Sequence, residues 1–196
     1  MTARQVTRAD IMPMSDYGAI RKDQRRRISE IKKARRVEVG PYSTFYFENF
    51  DTMWHQIHEM LFVEKGGEEQ IADELSAFNP LIPQGDELVA TIMFEVPDPA
   101  RRMAVLHMVG GIEHHMVLMI GGETIRGEPD AERENTSEDG KASSVQFVRF
   151  TLTPAQKAAF RSSTTAVMLG FDHPRYGHLA ALPTAIREAL AQDLTD

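Results

Sequence analysis

The stretch Tyr42–Lys65, YSTFYFENFDTMWHQIHEMLFVEK, holds the only Trp and two of the seven His in the chain. Its periodicity sets how the rest is read. At 100° per residue, Tyr46, Phe50, Met53, Trp54, Ile57, Met60 and Leu61 share one broad face, as in a helix packed on a core. The other side carries Glu48, Thr52, His55 and Glu59, with Asp51 and His58 between the two faces. Gly66-Gly67 supplies the stop, because glycine accepts the left-handed backbone at a helix end. Imidazole with carboxylates suits a divalent first-row metal, or a tuned acid or base. The plainer reading of the same row is a solvated polar face. HExxH is absent. His55-Gln56-Ile57-His58 is the looser HxxH, and one helix cannot close a metal site.

Upstream lies a basic helix. Arg21–Arg36 has nine basic residues against Asp23 and Glu30, a balance of +7 in a chain of net charge −7, so the remainder carries −14. Ser15 is the expected N-cap, with Asp16 in the first turn. Tyr17, Ile20, Gln24, Ile28, Ile31 and Arg35 make one narrow stripe for docking. A basic surface suits phosphates, but there are no interleaved aromatics and no helix-turn-helix partner. The acidic remainder would repel a polyanion. The expected role is contact with the acidic body, a sister subunit or a protein partner, not nucleic acid. Val37-Glu38-Val39 reads as a short edge strand ending at Gly40-Pro41.

Downstream, residues 68–78 form an amphipathic helix stopped by Asn79-Pro80. Strands are expected over 88–96, 113–120, 123–126, 144–152 and 164–171, with Gly121-Gly122 as a hairpin turn. Within the strand 113–120, His114 and His115 would point to opposite faces. Asp98-Pro99 and Thr153-Pro154 are helix starts, and 184–194 is a terminal helix. Residues 128–143 are acidic and poor in apolar side chains, hence an expected mobile loop. Strand, Asp98-Pro99-Ala100, helix, strand recurs 55 residues later at Thr153-Pro154-Ala155, an echo compatible with two βαβ halves around one sheet.

The expected fold is therefore α+β: a mostly antiparallel sheet of about five strands packed on helices. Residues 1–41 would form a basic arm and 42–196 a single domain. With 196 residues, 42% hydrophobic and 26% charged, the chain can bury a real core. It has no Cys, which excludes thiol catalysis, Cys-ligated zinc and any iron–sulfur cluster held by this chain. No signal peptide and no membrane span are visible, so the cytoplasm is the expected location. Dinucleotide, P-loop, serine-elbow and EF-hand motifs are all absent.

Phe47-Glu48-Asn49, Asp51-Thr52, Gln56-Ile57, Glu59-Met60 and Asn79-Pro80-Leu81-Ile82-Pro83 form a recurring pattern. It continues with Gly111-Ile112-Glu113-His114, Val145-x-Phe147-x-Arg149-Phe150 and Asp172-His173-Pro174. Across nearly the whole chain this resembles a bacterial family catalogued only as a domain of unknown function. The resemblance implies a single-domain protein with no assigned activity. It also implies a redox or metal setting, with relatives whose genes sit near those for rubrerythrin-like and iron–sulfur proteins. His55, His58 and His115 fall outside the pattern; Glu48, Glu59, His114 and His173 fall within it. Two expectations result. One is an accessory protein of redox or metal metabolism with a polar pocket of Glu48, Glu59, His114, Asp172 and His173, in which His114, His173 and Glu59 are ligands for iron, manganese or zinc. The other is a non-catalytic interaction module that uses the basic helix for self-association or for a protein partner from redox metabolism.

Overall fold

The computed structural model describes residues 4–195. Met1–Ala3 and Asp196, the outer ends of the expected arm and domain, lie outside the described residues. Among the described residues there are six α-helices and nine strands in two antiparallel sheets. The first sheet contains β1 (Arg36–Val39), β2 (Ser43–Phe47), β3 (Glu87–Phe94), β6 (Glu128–Pro129) and β7 (Val145–Thr151), in the order β1-β2-β3-β7-β6. The second contains β4 (Met116–Ile120), β5 (Glu123–Arg126), β8 (Val167–His173) and β9 (Tyr176–Ala181), in the order β5-β4-β8-β9. The chain is α+β as expected, and a second sheet faces the expected one of about five strands.

The helices are α1 (Met14–Lys33), α2 (Phe50–Glu64), α3 (Gly67–Phe78), α4 (Pro99–Met108), α5 (Pro154–Arg161) and α6 (Thr184–Ala191). The central helix begins later than its periodicity implies. Ser43-Thr44-Phe45-Tyr46-Phe47 is aromatic and β-branched, and it pairs on both sides, with β1 and β3. Tyr46 is therefore a strand residue opposite Arg36 and Thr91. Asn49 then caps α2: its side chain accepts from the Thr52 amide while Thr52 Oγ1 accepts from the Asn49 amide. Lys65, not a glycine, takes the left-handed position at the end, with φ 58. Ser15 is also not a cap. Pro13 precedes the first turn of α1, and Ser15 bonds Asp16.

Two cores result. The sheets face each other across one, with Phe45, Leu88, Ile92, Val148 and Phe150 from the first and Leu118, Leu169, Phe171 and Tyr176 from the second. Phe160 of α5 and Leu190 of α6 complete it. The other core lies on the outer face of the first sheet. There Val89 and Phe147 meet Met53, Ile57 and Leu61 of α2, Ile71 of α3, and Val6 and Ile11 of the N-terminal segment. Trp54 packs at its margin, with Nε1 donating to the Asp10 carbonyl at 3.0 Å.

The 55-residue echo has a different meaning from two halves around one sheet. β3–α4–β4 and β7–α5–β8 each pass from the first sheet to the second, and β3 pairs with β7 as β4 pairs with β8. Residues 128–143 are held by more than expected: β6 pairs with β7, Thr136 bridges Ala142, and Ala142 is fully buried. No helix among the described residues is long and apolar enough to cross a membrane.

Candidate functional site

The polar face of α2 meets the basic helix α1. Tyr17 and Ile28 are the buried contacts of α1, and its Arg and Lys residues cover the remaining circumference. Glu59 lies between the two helices. Arg21 Nε and Nη2 donate to its two oxygens at 2.9 and 2.8 Å, and Tyr17 Oη donates to Oε1 at 2.7 Å. Arg21, then Tyr17, hold the carboxyl down at about 2, against the opposing effect of burial. Tyr17 has one proton and Glu59 receives it. The His55 Nδ1 that lies 3.1 Å from Tyr17 Oη must therefore carry a hydrogen. Burial holds His55 below the ordinary imidazole value. His58 is fixed in the same way: Nδ1 donates to the Trp54 carbonyl at 2.7 Å and Nε2 accepts from the Met12 amide at 3.3 Å.

Beside this network is a recess of about 490 Å³. Its floor includes His55, Gln56, Glu59 and Tyr46, and its walls include Arg25, Ser29, Lys32, Lys33 and Arg36. Arg27 is paired with Asp51, Lys33 with Glu30 and Arg21 with Glu59. Arg25, Lys32 and Arg36 have no ion-pair partner among the described residues. Three uncommitted cations at one recess form an electrostatic seat for an anion. Arg25, Ser29 and Lys32 stand at i, i+4 and i+7, a spacing legible in the sequence; what the spacing leaves out is that α2 supplies the floor.

A second polar cluster sits where α4 leads into β4 and the β8–β9 hairpin turns. Asp172 accepts from both terminal guanidinium nitrogens of Arg126, Nη1 and Nη2, at 3.0 and 2.7 Å, and lies 2.9 Å from His115 Nδ1. Arg126 first, and His115 after it, hold Asp172 at about 2. The His115 and His173 rings meet edge to face, with centroids 5.0 Å apart. His173 is buried, with Nε2 on the Gly110 carbonyl and Nδ1 accepting from the Arg175 amide.

Residues 5–194 match the family described as "Protein of unknown function (DUF3501)". The chain belongs to this family. Its fold is shared with a crystal structure from Burkholderia pseudomallei K96243, titled a novel protein of unknown function. That structure is 33% identical with a TM-score of 0.89, over 97% of this chain and 100% of the other. No curated protein matches the chain. The function is therefore unassigned in the family description and in the related structure alike.

The expected single pocket divides into three places. Glu48 precedes α2 and is buried, accepting from Thr52 Oγ1 at 2.6 Å and Thr91 Oγ1 at 2.7 Å. Glu59 belongs to the α1–α2 network. Asp172 and His173 belong to the hairpin cluster, where the imidazole that joins Asp172 is His115 and not His114. The physical reason is local: Ile112–His114 is a 3₁₀ turn, and β4 begins only at Met116. His114 is left largely exposed, its nearest carboxylate being Glu113 at 4.0 Å. Among the described residues no group of three or more His, Asp or Glu is placed to hold a metal ion, so His114, His173 and Glu59 do not form the expected ligand set. The motifs around Glu113 and Asp172 do converge, through β4–β8 pairing, which no local pattern encodes.

Proposed function

We propose that this protein is a non-catalytic binding module whose α1–α2 recess receives an acidic segment of a partner protein in the cytoplasm. One observation carries the reading: Arg25, Lys32 and Arg36 line the recess without ion-pair partners among the described residues, in a chain of net charge −7. An uncommitted cation beside a recess gives steering and partner choice more than raw affinity. The acidic remainder of the chain favours a short acidic segment over an extended polyanion, since the segment can enter the recess without approaching the rest of the surface. The setting implied by the family resemblance points to a partner from redox metabolism.

The test is fluorescence anisotropy with a labelled oligo-glutamate of about ten residues, at low and near-physiological salt. Binding should weaken as salt rises and disappear in the Arg25→Glu, Lys32→Glu, Arg36→Glu variant. Duplex DNA should bind more weakly than the peptide. Tighter DNA binding that survives salt, or peptide binding unchanged in the variant, would overturn the reading. Sedimentation of the same samples checks the sister-subunit alternative, in which the variant changes the oligomeric state instead.

A further inference from the structure

We propose that a cleft between the N-terminal segment and the facing ends of α2 and α3 is a binding site for a free medium-chain aliphatic carboxylate. The cleft encloses about 790 Å³. Leu61, Phe62 and Ile71 form its floor, and Ile11, Met12 and Met14 one wall. A concave apolar lining with few polar groups is the usual form of a small-molecule site. Methionine walls suit a flexible chain, since the thioether adapts to irregular shapes.

The wall is tethered and not merely laid down. Asp10 accepts from the Trp54 indole, Met12 donates to His58 Nε2, and Arg8 pairs with Glu68 across the rim at 2.6 Å. That pair leaves Lys65 as the cation of the lining with no carboxylate partner among the described residues. One uncommitted ammonium matches one singly charged head group. Lys65 also has the only positive φ of any non-glycine among the described residues, although Gly66 and Gly67 follow it. A lysine is thus held at the cleft mouth at a backbone position where glycine is less strained.

The probe is sodium decanoate below its micelle concentration, followed by the methyl signals of carbon-13-labelled methionines. The Met12 and Met14 methyls should shift and saturate. Met93 and Met103, exposed elsewhere on the surface, should not. Lys65→Gln, which keeps the backbone demand and removes the charge, should weaken decanoate binding by roughly tenfold or more, and decan-1-ol should bind the parent comparably weakly. Vesicles of phosphatidylglycerol should leave the two methyls unmoved. Absence of saturable shifts, shifts spread to Met93 and Met103, equal binding by folded Lys65→Gln, or a response to vesicles alone would each overturn the proposal.

Discussion

At the scale of single residues, the chain is built to lose stability in acid. Glu59 and Asp172 both sit at about 2, below their ordinary values. A carboxyl depressed by folding stabilises the protein above its unfolded value, and that contribution disappears as pH falls toward the folded one. His55, His58 and His173 are lowered by burial, so the unfolded chain takes up their protons first as pH falls below 6.5. Asp193 opposes the trend, because burial raises it despite Arg35. The melting temperature should therefore fall in two stages, below pH 6.5 and again as pH falls from the ordinary carboxyl values of 4.5 and 3.8 toward about 2. Calorimetry from about pH 7.5 to about pH 3 checks this, and Glu59→Gln should flatten the second stage. An acid-insensitive melting curve would remove the networks from the account. Glu59 itself was legible as part of a polar row. Its partners Tyr17 and Arg21 lie 42 and 38 positions upstream, beyond the reach of local periodicity.

At the scale of elements, local chemistry carried the starts of α4 and α5. Asp98 and Thr153 cap them through the Arg101 and Gln156 amides, each with Pro at the first helical position. It failed where pairing overrides pattern. Tyr46 fits the helical stripe of α2, yet two neighbouring strands claim it for β2. β9, Tyr-Gly-His-Leu-Ala-Ala, has almost no strand signature and exists because β8 pairs along its whole length. That pairing explains Gly170. A Cβ there would lie 1.9 Å from the His178 carbonyl oxygen, which is backbone and cannot rotate away. Gly170→Ala should cost about 1–3 kcal/mol or more in chemical denaturation, as overpacking does. A neutral result would show that β9 is free to move off β8.

At the scale of the whole molecule, the junction between α1 and β1 is tied to the segment that follows α6. Arg35, just beyond α1, pairs with Asp193 after α6, with both side chains buried, and it also donates to the carbonyls of Phe47 and Glu48. Removing one partner strands the other charge in a low-dielectric setting. Asp193→Ala should therefore cost about 3–5 kcal/mol in equilibrium unfolding. The α+β class was legible because helices dominate before Leu88 and short strands after it. The division into two facing sheets was not, since it depends on where β4 and β8 turn away from β3 and β7. The same architecture leaves the outer face of α1 charged and its recess cations unmatched among the described residues, and the proposed function rests on that recess. The most direct measurement is backbone amide shift mapping during titration with the oligo-glutamate. Perturbations should be confined to Arg25–Arg36, Tyr46 and His55–Glu59, and should diminish with salt. Perturbations centred on the β8–β9 hairpin, or spread evenly over the surface, would contradict it.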